Sequence, residues 1–252
     1  MDIRDRFRGC LLGLPVGDAV GTTLEFKSPG SFEPISDMVG GGPFHLNPGE
    51  WTDDTSMALC LATSLVEKNG FDPKDQMDRY CRWRKEGYLS SNGRCFDIGR
   101  TVSDALRRYG QTGDPIAGST SAHSAGNGSI MRLAPVPMFY YPDLAAAVRY
   151  AAESSRTTHA AAECIDVCRL LASMICRALS GASKEEILFG EANSFRGEPN
   201  IAMIARDEYR NKSADKIRGT GYVVESLEAA LWCFLQNRHV RIRNSESSQP
   251  RR

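Results

Sequence analysis

The chain has 252 residues with 31 basic and 31 acidic side chains, so its formal net charge is zero. Apolar residues make up 41% and charged residues 25%, which is typical of a soluble globular protein of one or two domains. This balance of charges argues against a broadly basic nucleic-acid-binding protein. The sequence has no stretch of about 18 apolar residues, so it predicts no membrane span. Charges at positions 2 and 4–6 occupy the place where a signal peptide needs its apolar stretch. We therefore expect a cytoplasmic protein without membrane or specific nucleic-acid partners.

Several segments carry an apolar residue every three or four positions, the spacing of helices with one buried face. The segments with this pattern are 56–67, 159–180 and 223–236. Ser183 and Glu186 form a capping box, which predicts the start of a further helix. Strand-like alternation of apolar and polar residues is nearly absent, so the sequence predicts an all-α fold. We expect three glycine-rich segments to be loops between helices: 13–22, 40–50 and 124–132.

The segment before the first of these helices carries two adjacent carboxylates, Asp53 and Asp54, next to Thr52. One interpretation is structural, because threonine or aspartate often caps a helix and acids in the first turn suit its dipole. The other is a metal site. Two neighbouring carboxylates repel each other, and a hard cation such as Mg²⁺ or Mn²⁺, which prefers oxygen ligands, removes that repulsion.

A second candidate feature is the Gly-Asn-Gly-Ser segment at 126–129, followed by Arg132. Glycine allows backbone N–H groups to approach an anion closely, and a nearby guanidinium adds positive charge, so the segment is interpreted either as an anion-binding loop or as a plain turn. His159 lies between two predicted helices. It is either a capping or surface residue, or a hydrogen-bond donor to a phosphate or ribose.

Six motifs follow one another along the chain. They are Gly17-Asp18-Ala19-Val20-Gly21 with Glu25-Phe26, Trp51-Thr52-Asp53-Asp54-Thr55, Cys95-Phe96-Asp97-Ile98-Gly99, Gly126-Asn127-Gly128-Ser129-Ile130-Met131-Arg132, Thr158-His159 and Gly221-Tyr222-Val223-Val224-Glu225. In this order they resemble the ADP-ribosylglycohydrolase family, especially its bacterial dinitrogenase-reductase-activating branch, over roughly residues 3–236. The resemblance implies an orthogonal all-α bundle with two Mg²⁺ or Mn²⁺ ions in a central cleft. It also implies a hydrolase that removes ADP-ribose from protein side chains, arginine foremost.

The resemblance also implies roles for individual residues, each at its matching position. The expected metal ligands are Thr52, Asp53 and Asp54. The expected catalytic carboxylates are Glu25 and Asp97. The expected contacts to ADP-ribose are Gly126, Asn127, Gly128, Ser129, His159 and Tyr222. The ions would orient the ribose and a water molecule, while a carboxylate would transfer a proton or stabilise an oxocarbenium-like transition state.

Two departures from the family pattern matter. Arg100 stands where the bacterial branch commonly has asparagine, and the family's late Gly-Asp-Asp/Asn-x-Asp-Thr stretch, which supplies the second half of the metal site, is absent. We therefore expect a family-like helical domain over 1–236 without the C-terminal metal-binding segment, and a basic, disordered tail over 237–252 that resembles the product of a frameshift or a premature end. The alternatives to an active enzyme are a catalytically impaired ADP-ribose-binding or regulatory protein and a structural helical protein without a ligand.

Overall fold

The computed structural model describes residues 2–28 and 30–236, so the expected tail at 237–252 lies outside the described residues. Helices account for nearly all of the regular structure in this part of the chain, which confirms the predicted all-α fold. The α-helices are α1 (Ile3–Gly21), α2 (Asp53–Lys68), α3 (Pro73–Glu86), α4 (Arg100–Thr112), α5 (Pro135–Tyr140), α6 (Leu144–Arg156), α7 (Ala162–Ser180), α8 (Lys184–Phe189), α9 (Pro199–Ala205) and α10 (Val223–Gln236). Short 3₁₀ turns lie at Thr22–Leu24, Ala122–Ser124, Asn127–Ser129 and Ala214–Lys216.

The predicted helices are present, with small shifts of their first residues. Helix α2 begins at Asp53, three residues before the predicted start, α7 begins three residues after it, and α10 has the predicted bounds. The capping box opens α8 as expected, because Ser183 Oγ accepts from the backbone N–H of Glu186 at 3.3 Å and Glu186 Oε2 accepts from that of Ser183 at 2.7 Å.

The prediction of a loop over residues 13–22 is wrong, because α1 continues through this segment to Gly21. Glycine costs about 1 kcal/mol in a helix interior, and Pro15 cannot donate a backbone hydrogen bond, so local propensity alone disfavours this helix. Tertiary contacts outweigh propensity here. Ala19 is buried, and the neighbouring Asp18 is anchored to the start of α2 by several hydrogen bonds.

Helix α7 lies at the centre of the fold and packs against α1, α5, α6, α8, α9 and α10. The buried apolar residues form three clusters. One surrounds α7, α9 and α10, a second joins α2, α3 and α4, and a third connects α2, α5 and α7. In the described part of the chain, every helix is too short or too polar to span a membrane. The loops that lead into α2 and α4 meet the turn at Asn127–Ser129 between these clusters, and this junction holds the candidate site.

Candidate active site

A cavity of about 350 Å³ lies where these loops meet. Its lining combines four acidic side chains, one aromatic ring, one arginine and a glycine-rich backbone segment. The lining residues are Glu25, Phe26, Asp53, Asp54, Asp97, Gly99, Arg100, Thr101, Val102, Gly126, Asn127, Gly128, Met131, His159 and Gly221. The structure thus brings together eight of the eleven residues that the sequence predicts for the site, and their individual roles stay predictions.

Asp18 organises the start of α2 from a different helix. Its carboxylate accepts hydrogen bonds from the backbone N–H of Thr52 and of Thr55 and from both threonine hydroxyls, at distances between 2.7 and 3.1 Å. Thr52 itself makes no side-chain cap, so the negative charge at the positive end of α2 comes from α1. The sequence showed Asp18 within a motif but gave it no role, because only the tertiary fold brings α1 to the first turn of α2.

The acidic side chains of the cavity lie close enough to disfavour one another's ionisation. Burial raises the pKa of Asp54 to about 7, with Asp18, Asp97 and Glu25 adding repulsion. The pKa of Asp97 also rises to about 7, chiefly through burial and then through Glu25, while a hydrogen bond from Asp53 opposes the rise. Burial raises the pKa of Asp53 well above its ordinary range, and the neighbouring charges of Asp54, Asp97 and Asp18 add to this rise.

Glu25 directly follows the 3₁₀ turn at Thr22–Leu24. Its pKa is raised, first by burial and then by the charge of Asp18, against a long hydrogen bond of 3.4 Å from the Thr22 hydroxyl. The next residue, Phe26, has a left-handed backbone with φ of 62°, and Asp97 has φ of 58°. Such values are uncommon for residues other than glycine and often occur at functional sites.

The oxygen atoms of Thr52, Asp53 and Asp54 are of the type that Mg²⁺ and Mn²⁺ prefer, and a divalent cation would offset the repulsion among the carboxylates. Thr52 lines an adjoining cavity together with Asp18 and Asp54. In the residues that the structure describes, however, no three His, Cys, Asp or Glu side chains converge so as to hold a metal ion. The donors fit the chemistry of the metal but do not form a complete coordination sphere, so the two-ion site stays a prediction.

The Gly-Asn-Gly-Ser segment forms a tight turn against the start of α10. The backbone N–H of Asn127 donates to Gly221 O at 3.0 Å, and Gly126 pairs with Tyr222 in an isolated bridge. Glycine is needed at position 128, because a Cβ there would lie 2.7 Å from His159 Cε1. A Cβ at Gly126 would meet His159 Nε2 at an ordinary 3.5 Å. Glycine at position 128 therefore allows the backbone to pack closely against His159 inside the protein.

His159 is 2% exposed, and burial together with Arg132 lowers its pKa to about 3, so the imidazole is neutral. Its Nδ1 lies 2.8 Å from the Thr158 hydroxyl, which accepts from Arg132 at 2.6 Å. The hydroxyl proton is then available to Nδ1, which favours the tautomer protonated at Nε2, the atom facing the glycine turn. His159 thus presents an uncharged donor at the cavity wall.

Arg132 supports this wall from behind. It is 1% exposed, donates to Gly128 O at 2.8 Å and lies over the ring of Tyr80, with Cζ 4.8 Å from the ring centroid. The sequence placed a guanidinium near the turn, and the structure shows that it contacts the carbonyl side of the turn instead of lining the cavity. Its charge therefore reaches a bound anion only through the turn.

Two predicted substrate contacts lie outside the cavity lining. Ser129 is buried, with its hydroxyl next to the Cys168 thiol. The hydroxyl of Tyr222 donates to Glu163 at 2.7 Å, and its ring lines a neighbouring cavity, although its backbone holds the glycine turn. Arg100 lines the main cavity with a highly exposed side chain, and its guanidinium lies 3.8 Å from Asp104.

Comparison with known proteins supports the resemblance seen in the sequence. The model of the ADP-ribosylglycohydrolase family matches residues 1–247. The chain is 50% identical, over 90% of its length, to the "ADP-ribosylarginine hydrolase Tri1" of Pseudomonas putida, and it spans 61% of that relative. It is 30% identical, over 91% of its length, to the "ADP-ribosyl-[dinitrogen reductase] glycohydrolase" of Rhodospirillum rubrum, of which it spans 74%.

The fold agrees with a solved structure as well. The chain superposes on a chain of an "ADP-ribosylglycohydrolase-related protein complex" with a TM-score of 0.78 and 41% identity, covering 94% of this chain and 77% of the other. The arrangement of helices is therefore that of the ADP-ribosylglycohydrolase type, as the motifs predicted. On the family match, the relatives and the fold together, this chain belongs to the ADP-ribosylglycohydrolase family.

Proposed function

We propose that the chain removes ADP-ribose from arginine side chains of modified proteins. The observation that carries this proposal is one cavity with two kinds of lining: acidic side chains, Glu25, Asp54 and Asp97, here called the acidic end, and uncharged groups, the glycine turn and His159, here called the uncharged end. Relatives with 50% and 42% identity bear the name ADP-ribosylarginine hydrolase, which supports arginine as the linkage. The proposed partner is an ADP-ribosylated protein, and the cytoplasm stays the expected location.

The uncharged end suits the diphosphate and its riboses. The turn at Asn127–Ser129 has no acidic side chain, and Asn127 and Gly128 line the cavity. His159 Nε2–H adds a neutral donor there. Arg132, although buried, places a positive charge behind the turn, and Coulomb attraction through protein is stronger than through water.

The acidic end suits the bond-breaking step. Water attacks the ribose carbon that carries the guanidine nitrogen, the carbon–nitrogen bond breaks, and the electron pair leaves with the guanidine. Asp97 is suited to transfer the proton, because its pKa of about 7 leaves part of it ionised at neutral pH. Its carboxylate accepts a proton from the attacking water and returns it to the guanidine. The remaining negative charge stabilises an oxocarbenium-like transition state.

We propose Mg²⁺ or Mn²⁺ as the cofactor, held on one side by Thr52, Asp53 and Asp54. When bound, such ions orient ribose hydroxyls and acidify water. These three residues alone do not complete the coordination of two ions, so further oxygen ligands, including water, would be required. Asp18 contributes by fixing Thr52 and the first turn of α2, so that both aspartates face the cavity.

A second candidate function is ADP-ribose binding without hydrolysis, in a regulatory role. The specific observation that favours it is the lack, among the described residues, of three side chains that converge on a metal. This candidate keeps the glycine turn and His159 as the binding elements and assigns no proton transfer to the carboxylates.

One experiment separates the two functions. The purified chain is incubated with an ADP-ribosylarginine peptide, with Mg²⁺ or with a chelator, and the released ADP-ribose is measured beside its binding by calorimetry. Hydrolysis that needs Mg²⁺ and is lost in the Asp53→Asn, Asp54→Asn double variant supports the enzyme. Binding without release supports the regulatory protein, and a folded chain that does neither contradicts both.

A further inference from the structure

An exposed aromatic ring stands at the acidic end of the cavity, and neither the family roles nor the proposed chemistry uses it. Phe26 is 79% exposed, although Thr22 and Thr23, which precede it in the chain, are buried. Its backbone has a φ of 62°, which is unfavourable for a bulky side chain. Contact of a large apolar ring with water and a left-handed backbone are both unfavourable. Their combination at one residue points to a ligand that covers the ring.

The ring belongs to a row of three aromatic side chains, of which Phe26 lines the cavity. Phe26 contacts Phe44 edge-on, with ring centroids 6.4 Å apart, and Phe44 lies 5.5 Å from Phe96. Each end of the row is joined in sequence to an acidic residue, Phe26 to Glu25 and Phe96 to Asp97. Phe44 is partly buried between them, so it holds Phe26 at the rim while leaving most of its surface open.

The charges around this rim favour a cation. Glu25, Asp54 and Asp97 line the cavity beside Phe26, whereas the cationic lining residue, Arg100, extends into solvent near Asp104. A flat guanidinium is attracted to the face of an aromatic ring and to carboxylates, and it is weakly hydrated. In a substrate linked through arginine, this group lies directly beside the bond that the acidic end is proposed to break.

We propose that Phe26 forms, with the carboxylates beside it, the subsite for the guanidinium group of the modified arginine, and that it thereby selects arginine-linked over uncharged leaving groups. The inference rests on the proposed function and goes further by assigning a residue to recognition of the linkage. The adenine ring is the other flat group of the substrate. Adenine is uncharged, so the carboxylates that line the cavity with Phe26 favour the guanidinium over adenine as the partner of the ring.

The test compares two non-hydrolysable ligands that differ in charge. In both, a CH₂ group replaces the glycosidic nitrogen of ADP-ribosylarginine. One ligand then carries a cationic amidinium and the other an isosteric neutral amide. Each is titrated by calorimetry into the unaltered chain and into Phe26→Leu, Phe26→Trp and, as a matched control away from the cavity, Phe234→Leu. Phe234 is also an exposed ring, 42% exposed, and it packs on a cation, Lys184.

The readout is the ratio of the two affinities within each protein, so that general loss of folding or binding cancels. The unaltered chain, Phe26→Trp and Phe234→Leu should prefer the amidinium, and Phe26→Leu should reduce this preference by about 3-fold to 30-fold, the range of cation–π contacts. An unchanged ratio in Phe26→Leu overturns the subsite. Equal weakening of both ligands assigns the ring to another part of the substrate and overturns it as well. Failure of the unaltered chain to bind either ligand or ADP-ribose overturns the proposed function, and with it the subsite.

Discussion

The carboxylate of Asp18 accepts two hydrogen bonds from Thr55, one from its hydroxyl at 2.7 Å and one from its backbone N–H at 3.1 Å. Through this contact and the equivalent one to Thr52, a residue of α1 caps α2 and fixes the direction of its first turn. Asp53 and Asp54 lie in that turn, so the positions of these two of the four cavity carboxyls depend on a side chain that does not line the main cavity. The same charge adds to the repulsion that raises the pKa of Asp54.

Replacing Asp18 should therefore lower stability. In Asp18→Asn one amide oxygen accepts in place of a carboxylate, and the charge at the positive end of α2 is lost, so we expect the free energy of unfolding to fall by about 1–3 kcal/mol. Urea denaturation followed by circular dichroism measures this change. Asp215→Asn, at an exposed position in a 3₁₀ turn, is the matched control and should change stability by less than about 0.5 kcal/mol. Equal effects of the two substitutions contradict the anchoring role.

The two glycines of the turn should differ in their tolerance of a methyl group. In Gly128→Ala the new Cβ lies 2.7 Å from His159 Cε1 and 3.3 Å from Val102 Cγ2, so the ring or the turn must move. We expect a loss of about 1–3 kcal/mol in stability, the range for overpacking, together with weaker binding of ADP-ribose. Gly126→Ala is the control, because its Cβ meets His159 Nε2 at 3.5 Å. Urea unfolding measures the stability of both variants, and calorimetry measures their affinity for ADP-ribose. If Gly128→Ala is as stable as Gly126→Ala, the close contact with His159 is refuted.

The acidic cluster should cost stability when no cation is bound. Burial and repulsion disfavour the charged form of Asp54, so Asp54→Asn should be about 1–3 kcal/mol more stable than the unaltered chain in a chelator at pH 8. Added Mg²⁺ should narrow this gap by binding the unaltered chain in its folded state. Thermal unfolding of both proteins, with and without Mg²⁺, provides the measurement. If the unaltered chain is more stable than Asp54→Asn in a chelator, the proposed repulsion among the carboxylates is contradicted.

The sequence predicted the helices and the motifs of the site more accurately than the way the site is held together. Periodic apolar spacing is a local property, so α10 and the capping box of α8 were predictable. The helical course of residues 13–22 was not, because it depends on contacts between α1 and α2 that override the low helix propensity of glycine and proline.

The same distinction holds within the site. Carboxylates and glycines were found by residue type and order, and eight of the eleven predicted residues line one cavity. Arg132 and Ser129 carry the chemistry expected of ligand contacts, yet both are buried behind the turn, because a sequence does not show on which side of a tight turn a side chain lies. The sequence showed Phe26 within a motif but gave it no role, because its exposure, its backbone conformation and its contact with Phe44 appear only in the folded chain.

The buried His159 should make stability depend on pH below neutrality. Its pKa is about 3 in the folded chain against 6.5 as a model value for the unfolded chain, so between these values the unfolded state binds a proton that the folded state does not. The unfolded state is therefore favoured as pH falls. The contribution of the neutral ring is complete above pH 6.5 and declines below it, by up to about 1.4 kcal/mol per pH unit.

The cavity carboxyls act in the opposite sense, because their raised pKa values make the folded state bind protons more readily. The histidine is therefore isolated by comparing the unaltered chain with His159→Gln at pH 7.5 and pH 5. The unaltered chain should lose about 2 kcal/mol more than the variant between the two pH values, measured by urea denaturation. His123→Gln, at an exposed position, should behave as the unaltered chain does. Parallel pH profiles for the unaltered chain and His159→Gln mean that His159 can take up a proton in the folded protein, and the neutral donor at the cavity wall is then refuted.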